Sequence, residues 1–369
     1  MKQKPIVCAY YFPNWHVDPR NEKYHGKNWT EWQVVKHATP RFEGHDQPKV
    51  PLWGYEDEAS PTVMAKKIKA ASEHSINAFI FDWYFFEDGP YRERCLNNGF
   101  LKAKNCKDIK FGLMWANHDH IYSHPGSYKN PAESVWSGSV TPETFIKCTD
   151  YCIEHYFKEP NYLRIEDGLY FSIFNTEKMV NDLGGPNEAG LLFRNFRDRV
   201  EKAGLGKVTL DARCNSLGGW RDFHAANRLI KKLGVDMCSN YNWAHYEGFP
   251  AMDYASWFEN NMNDFSLLTK SLCIPYNPVV MQGWDSSPRT VQSDMYEKVG
   301  YPFSTIIKSN TPELFEQALS FAHEFMMSPD ATGSMVHVAC WNEWTEGSYL
   351  EPDTKYGYGY LEAIKRVFG

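Results

Sequence analysis

The sequence reads Gly333-Ser-Met-Val-His-Val-Ala339 and continues as Cys340-Trp-Asn-Glu-Trp-Thr-Glu-Gly-Ser-Tyr-Leu-Glu-Pro-Asp353. The first stretch is an apolar run that predicts a buried β-strand, so Glu343 and Glu346 follow soon after its end. Two carboxylates so close in sequence suit an acid/base pair, because breaking a glycosidic bond needs one group to move a proton at the bridging oxygen and a second to manage charge or a nucleophile at the sugar carbon. A carbohydrate-active enzyme is therefore the first hypothesis.

Seven further apolar or β-branched runs precede this one, and polar or aromatic residues follow each of them. The runs occupy residues 6–12, 78–83, 111–116, 169–174, 208–212, 235–240 and 278–281. Helix-like stretches usually separate them, and an alternation of strand and helix is typical of a parallel sheet. With 369 residues and 43% hydrophobic content, the chain can bury one large core. We predict an α/β fold, a single-domain (β/α)8 TIM barrel over residues 1–369, whose sixth and seventh units are the least regular.

A doubly wound sheet is the alternative fold. Such a sheet would be expected to carry a glycine-rich phosphate turn after its first strand. The sequence contains neither a GxGxxG nor a Walker A pattern, so the barrel is favoured.

Four helices are predicted with the clearest boundaries, over residues 61–74, 141–156, 187–203 and 311–327. The first has Ser60 as its N-cap and Pro61 at its first helical position. Two others open with Thr-Pro-Glu, which supplies a cap, a fixed φ and an acid in the first turn. Two long loops remain, after the first strand (13–60) and after the third (117–140). Loops of this length in a compact domain are usually functional.

The strand ends carry mostly polar and aromatic residues. In barrel enzymes the active site lies at the C-terminal ends of the strands. We therefore predict Glu343 and Glu346 as catalytic residues. The predicted substrate contacts come from the strand ends, the first long loop and the 340–353 segment. They are Tyr10, Tyr11, Asn14, Trp32, Asp82, Trp83, Tyr84, Trp115, Asn117, His118, Asp211, Tyr241, Gln282, Trp284, Asn342, Trp344 and Glu351.

Several of these assignments have structural alternatives. Asp82 could bond the backbone of a neighbouring loop, and Arg213 could be a simple salt-bridge partner of Asp211. His118 and His120 could be joined by other histidines in a metal cluster, but a H-x-H pattern alone is a weak signal. We expect no metal and no cofactor.

Composition limits the partners and the compartment. The net charge of −7 and the lack of a Lys/Arg cluster argue against nucleic acid, whose phosphates need a basic surface. Nine cysteines without CxxC spacing fit neither a disulfide framework nor a zinc ribbon. No signal-peptide pattern and no apolar run of about 18 residues occur, so we expect a cytoplasmic protein without a membrane span. Carbohydrate is the expected partner, and protein partners are not indicated.

Five segments resemble one known family. They are Tyr10-Tyr-Phe-Pro-Asn-Trp-His16, Arg41-Phe-Glu-Gly-His45, Pro51-Leu-Trp-Gly-Tyr55, Phe81-Asp-Trp-Tyr84 and Trp341-Asn-Glu-Trp-Thr-Glu-Gly-Ser-Tyr-Leu-Glu-Pro352. Together they resemble the WbsX-type family, often labelled a glycosyltransferase of polysaccharide loci. That family is similar to the endo-α-mannosidases of glycoside hydrolase family 99, which are (β/α)8 barrels with a Glu-Trp-x-Glu-Gly core. The resemblance therefore implies a barrel hydrolase that needs no metal.

The resemblance also implies a retaining mechanism. Glu343 would deprotonate the 2-hydroxyl of the sugar, whose oxygen forms a 1,2-anhydro intermediate, and Glu346 would act as acid and then as base. The route needs the 2-hydroxyl and the leaving group trans-diaxial, as in α-mannosides or α-rhamnosides. Gly347-Ser-Tyr-Leu350 replaces the Gly-Thr-Gln-Ile-like run of the mannosidases, so the resemblance does not fix the sugar.

Two other functions compete with hydrolysis of an oligo- or polysaccharide. A glycosyltransferase would use an activated sugar, and it would ordinarily need a helix N-terminus, basic residues or a metal for the phosphates; the sequence gives no evident set. A non-catalytic glycan-binding protein would keep the aromatic cleft without needing paired acids.

Overall fold

The computed structural model describes residues 2–121, 125–130, 134–217, 221–243 and 246–369. Its centre is a barrel of eight parallel strands with helices around it, which confirms the predicted fold class. The strands are Ile6–Tyr11, Ala78–Phe86, Lys110–Trp115, Gly168–Ile173, Lys207–Arg213, Met237–Ser239, the interrupted strand Tyr276–Asn277 with Val279–Met281, and Met335–Ala339. Strands buried on both faces explain why the sequence shows continuous apolar runs rather than alternation.

The barrel closes through its first, seventh and eighth strands. Ile6 pairs with Met335 on one side of the first strand, and Cys8 pairs with Ala78 on the other. The seventh strand is divided at Pro278, which has no N–H to donate to a ladder. Its first part pairs with the sixth strand and its second part with the eighth. This division is why the seventh run is weak in the sequence.

Ten α-helices lie within the described ranges. They are Pro19–His25, Trp32–Lys36, Pro61–Glu73, Pro142–His155, Thr176–Asp182, Pro186–Lys202, Phe223–Leu233, Tyr254–Ser271, Pro312–Met327 and Gly359–Phe368. The Thr141 hydroxyl accepts from the Thr144 N–H at 3.1 Å, and Thr311 caps its helix in the same way. Ser60 occupies the N-cap position, but its side chain makes no capping hydrogen bond. Of the helices described, none is both long and apolar enough to cross a membrane.

The remaining elements are short and lie mainly in the connections. The strands are Gly89–Tyr91, His120–Ile121, Ser134–Trp136, Arg164–Ile165, Ala251–Asp253, Ile306–Lys308, Asn342–Glu343 and Ser348–Tyr349. A π-helix spans Cys95–Phe100, and 3₁₀ turns span Cys106–Asp108, Cys214–Ser216, Ser287–Arg289 and Trp344–Glu346. The first predicted long loop contains two short helices, Pro19–His25 and Trp32–Lys36. In the second loop, residues 122–124 and 131–133 lie outside the described residues.

Candidate active site

A cavity of about 470 Å³ opens at the C-terminal end of the barrel; we call it the site cavity. It lies where barrel enzymes carry their active sites, and its size suits a small ligand or part of a larger one. Its lining residues are Phe12, Asp82, Tyr84, Arg92, Ala116, His118, Asp119, His120, Phe174, Arg213, Tyr241, Asn242, Tyr246, Trp284, Arg289, Tyr301, Ser304, Glu343 and Glu346. Both predicted catalytic acids therefore face the same space.

Glu343 and Glu346 are held by a tight local fold. Asn342–Glu343 pairs antiparallel with Ser348–Tyr349, and the 3₁₀ turn Trp344–Glu346 joins the two. Gly347 ends that turn at φ +60°, and a Cβ at this position would lie 2.8 Å from the Cβ of Asp285. Only glycine suits both the left-handed backbone and the close approach, so the glycine of the motif shapes the turn that presents Glu346.

Arg289 joins the two acids. Its guanidinium donates through Nη2 to Glu343 and through Nη1 to Glu346. The Tyr301 hydroxyl donates to the same Glu346 oxygen at 2.8 Å, and Arg289 Nη2 also lies 3.1 Å from Glu31 Oε1. A guanidinium with several fixed N–H groups suits this geometry better than an ammonium. The buried guanidinium of Arg289 thus forms ion pairs with three carboxylates.

Burial controls the protonation of the acid pair. It raises the pKa of Glu343 well above its usual value, against the opposing charge of Arg289, and the charge of Glu346 raises it further. Burial also raises the pKa of Glu346, while Arg289 and the hydrogen bond from Tyr301 lower it. Two carboxyls this close titrate as one unit. The pair is therefore suited to hold a proton that two exposed carboxyl groups would lose.

A third acid faces the site cavity. Asp82 lies in the second strand, and burial raises its pKa to about 7, although Tyr241 donates to its Oδ2 at 2.8 Å. Its Oδ1 is buried without a hydrogen-bond partner among the described residues. An unsatisfied buried carboxyl oxygen costs free energy when it is charged, and protonation of Asp82 reduces that cost.

Glu31 is a buried carboxylate behind the acid pair, and it comes from the first long loop. Its Oε1 accepts from the Thr345 hydroxyl at 2.6 Å, and its Oε2 accepts from the Asn14 amide. Asn21 donates in turn to Asn14 at 2.9 Å. The predicted contact Asn14 therefore does not line the cavity; it fixes Glu31, which lies next to Arg289. Glu31 was not among the residues predicted as catalytic or as substrate contacts.

A second buried network anchors the 340–353 segment from below, and it uses further residues predicted as substrate contacts. Lys67 lies 2.5 Å from both Glu58 and Glu351. Trp344 Nε1 donates to Glu351 at 2.8 Å, and Asn342 Nδ2 donates to Glu58 at 2.9 Å. The Tyr11 hydroxyl also donates to Glu58, at 2.8 Å. Tyr11, Asn342, Trp344 and Glu351 thus support the site without lining the cavity.

Three predicted aromatic contacts point away from the site cavity. Trp83 and Trp115 lie in strands where successive side chains face opposite sides, so Trp83 turns outward between Asp82 and Tyr84. Trp115 donates to the Phe85 carbonyl at 3.2 Å. Trp32 is 3% exposed, donates to the Glu56 carbonyl at 2.9 Å and packs on other rings. These three are packing residues.

Four more predicted contacts lie under or beside the site cavity. Asp211 and Tyr10 fill the barrel interior: Asp211 accepts from Tyr170, Ser172 and Ser239, and Tyr10 stacks on His337. Asn117 is tied to the backbone of Asn175 at 2.8 Å in both directions. Gln282 donates to the Tyr349 carbonyl at 2.7 Å. Strand-end position alone does not separate these buried layers from the cavity wall.

Arg213 differs most from its expected role, which was an ion pair with Asp211. It lines the site cavity two residues beyond Asp211, and its guanidinium stacks on Phe174 at 3.6 Å rather than pairing with Asp211. Arg92, in the hairpin after the second strand, lines the same cavity. Arg289 and Tyr301 were also missed. They come from loops outside the apolar runs, where no periodic pattern marks them.

Comparison with known proteins identifies the family and agrees with the fold. The model of the family described as Glycosyltransferase WbsX matches residues 7–364. Two Xanthomonas campestris pv. campestris proteins named "Uncharacterized protein WxcX", from different strains, are 26% identical over 98% of this chain. The match covers 49% of each, so the chain spans about half of their length.

Solved structures show the same fold. The GH99 endo-alpha-mannosidase from Bacteroides thetaiotaomicron aligns with a TM-score of 0.61 and 14% identity, covering 98% of this chain and 96% of that one. A glycoside hydrolase-like protein aligns with a TM-score of 0.63 and 15% identity, covering 99% and 94%. At this identity the likeness concerns the fold alone.

Proposed function

The chain belongs to the WbsX family, and for this member we propose a retaining glycoside hydrolase of an oligo- or polysaccharide, with residues 1–369 as one catalytic domain. One observation carries the proposal: Glu343 and Glu346 face a single cavity and are bridged there by Arg289. Hydrolysis of a glycoside uses two such carboxyl groups. The hydrolase fold of the structural relatives supports the same reading.

The proposed reaction has two halves. Glu343 takes the proton of the 2-hydroxyl, whose oxygen attacks the anomeric carbon while Glu346 protonates the departing oxygen. The 1,2-anhydro sugar that results is then opened by water, which gives a proton to Glu346 while the 2-oxygen recovers its own from Glu343. Two inversions at one carbon give retention, and both acids return to their starting states. An α-mannoside or α-rhamnoside has the trans-diaxial geometry that this route needs.

The electrostatics favour a proton held within the acid pair. Burial raises the pKa of both acids, and it raises that of Glu343 further than that of Glu346. The proposed reaction needs this proton on Glu346, beside Tyr301, with Glu343 ionised against Arg289, so the substrate must draw the proton to Glu346. Trp284, Tyr84 and Tyr241 supply ring faces in the cavity wall on which a sugar can stack.

The test is a screen of α-mannosides, α-rhamnosides and bacterial surface glycans for reducing-end release. Wild type, Glu346→Gln and Glu324→Gln, an exposed glutamate on an outer helix, are compared with and without nucleotide sugars. We expect release without a donor, a loss on the order of 10²-fold or more in Glu346→Gln and none in Glu324→Gln. Full turnover by Glu346→Gln on a true substrate would contradict the proposal.

Glycosyl transfer is the second candidate, because Arg92 and Arg213 in the cavity wall could take the phosphates of a nucleotide sugar. Product that forms only when a nucleotide sugar is present would favour transfer. Binding of glycans without turnover under any condition would instead favour a non-catalytic glycan-binding protein.

A further inference from the structure

Two arginines of the site cavity lack an acidic partner. Arg289, the third arginine in the cavity wall, is matched by Glu31, Glu343 and Glu346. Across the described ranges of the chain, neither Arg92 nor Arg213 has a carboxylate within ion-pair distance. A buried charge without a partner is costly, so these two groups need an explanation that the acid pair does not supply.

Arg92 is only 4% exposed. Its guanidinium lies 5.0, 4.7 and 4.6 Å from the ring centroids of Phe12, Tyr84 and Tyr91. Its Nε is buried without a hydrogen-bond partner among the described residues. Aromatic faces hold a guanidinium by cation–π attraction without using all of its in-plane N–H groups. Arg92 is therefore fixed in position with donor capacity to spare.

Arg213 repeats this arrangement on another part of the wall. Its guanidinium lies 3.6 Å from the centroid of Phe174 and 5.4 Å from that of Tyr241. Two of its nitrogens share Asn215 Oδ1 at 3.1 and 3.3 Å, while Nη1 is buried and has no partner in the described structure. Burial lowers the pKa of Arg213 to about 10, which still leaves the group charged at neutral pH.

The charges of both arginines act on the same part of the cavity. Each lowers the pKa of Asp82 in part and that of His118 in part, although burial is the larger effect on both. Burial holds the His118 imidazole neutral, so it adds no charge there. Beside the paired Arg289 cluster, the cavity thus carries two positive groups that have no direct ion pair among the described residues, and each has one N–H donor without a partner there.

We propose that the site cavity takes an anionic saccharide, whose carboxylate or phosphate is bound by Arg92 and Arg213. A planar guanidinium held on a ring face donates paired N–H bonds to an oxyanion, and a bound anion would also offset the cost of withdrawing the buried Arg92 and the half-buried Arg213 from water. This inference rests on the proposed function, since the anion belongs to the sugar that Glu343 and Glu346 act on. It predicts acidic sugars over neutral ones.

The experiment measures binding, so it does not depend on a known turnover. Calorimetry compares matched pairs, glucose with glucuronate and mannose with mannuronate, together with inorganic phosphate and GDP-mannose. The proteins are wild type, Arg213→Gln, Arg92→Gln and Arg164→Gln, an exposed arginine at the opposite end of the barrel. Arg213→Gln is informative even where Arg92→Gln fails to fold, because Arg213 is only half-buried.

We expect an acidic sugar to bind about tenfold or more tightly than its neutral partner, with the advantage lost in Arg213→Gln and kept in Arg164→Gln. If Arg213→Gln weakened the binding of phosphate or GDP-mannose but not that of the acidic sugars, the anion site would be retained and assigned to a phosphorylated ligand. Equal binding of acidic and neutral ligands, or a preference that survives both cavity substitutions, would overturn the inference. Failure of the hydrolase proposal would appear separately, in the Glu346→Gln screen.

Discussion

At the scale of single residues, burial decides the chemistry of the site cavity. Glu343, Glu346 and Asp82 are each almost inaccessible to water, and burial is the first cause of the raised pKa of all three. They differ in their partners: Arg289 compensates the pair, whereas Asp82 has one hydrogen bond from Tyr241 and one bare oxygen. The pKa of each carboxyl group in the cavity is therefore set by its own partners as well as by burial.

The titration of Asp82 gives a prediction about stability. Its pKa is about 7 in the folded protein against an ordinary value of 3.8, so the folded state holds this proton more tightly than the unfolded chain does. Its contribution to stability is present below about pH 4 and is lost as the pH rises through about 7. Asp82→Asn cannot lose a proton. We expect the free energy of unfolding of Asp82→Asn, relative to that of wild type, to increase by roughly a few kcal/mol between pH 4 and pH 7.

Urea unfolding at pH 5 and pH 8 checks this prediction. Asp167→Asn, at an exposed turn, is the matched control and should follow wild type at both values. A constant difference between Asp82→Asn and wild type across this range would contradict the assignment.

At the scale of elements, the turn that carries Glu346 depends on its glycine. Gly347 and Gly357 have similar φ angles, +60° and +56°, but a Cβ at Gly347 would meet Asp285 at 2.8 Å while nothing lies within 4 Å of one at Gly357. Gly357→Ala should therefore cost only left-handed strain, about 1 kcal/mol. Gly347→Ala should cost more and should also lower kcat, because the clash displaces Glu346. Thermal unfolding and turnover measured on both variants separate strain from clash; equal effects would contradict the account.

The helix Pro61–Glu73, which supports the 340–353 segment, gives a second prediction at this scale. Lys67, on helix Pro61–Glu73, is the buried cation between Glu58 and Glu351. Lys67→Met leaves two buried carboxylates without their cation, and we expect the free energy of unfolding to fall by about 3–5 kcal/mol. Its neighbour Lys66 pairs with Glu56 at 2.6 Å but is 40% exposed, so Lys66→Met should cost at most about 1 kcal/mol.

Chemical denaturation of both lysine variants measures the difference. If Lys67→Met were no more destabilising than Lys66→Met, the buried network would not be what anchors the 340–353 segment. We also expect Lys67→Met to lower turnover, because Trp344 and Asn342 donate hydrogen bonds to the two carboxylates that Lys67 contacts.

At the scale of the whole molecule, the two ends of the barrel carry different cavities. A larger groove of about 890 Å³ lies at the N-terminal ends of the strands, lined by residues such as Lys4, Asn77 and Lys110. In barrel enzymes that end serves stability and the opposite end serves chemistry. Cavity size alone would select the N-terminal end, whereas the buried acid pair bridged by Arg289 favours the smaller cavity as the candidate site.

A substitution at the basal groove tests this division. Lys110 is exposed there, and Lys110→Ala should leave kcat/KM unchanged, whereas Arg213→Gln at the other end should raise KM for an acidic substrate. Steady-state kinetics on the substrate found in the glycan screen would decide. A marked loss of kcat/KM in Lys110→Ala would mean that the basal groove takes part in function.

Much of the architecture could be predicted from the sequence, because its signals are local. The eight runs contain the observed strands to within a few residues, and the Thr-Pro-Glu openings mark two helices at their observed starts. The motif around Glu343 and Glu346 is also local: one strand end and one short turn bring both acids to the same place. A stretch that buries both faces of a strand must be apolar throughout, so its composition reveals it.

Only the tertiary structure decided which residues contact Glu343 and Glu346 and which residues form the wall of the site cavity. Arg289 lies 54 residues before Glu343, Arg92 and Arg213 belong to different strand ends, and Glu31 comes from the first long loop. Side chains that meet through barrel closure leave no periodic trace in the chain. Strand ends predicted as contacts divided into a cavity wall, a buried layer and an outward face, because alternation along each strand and depth within the barrel, not sequence position, set which side chain reaches the ligand.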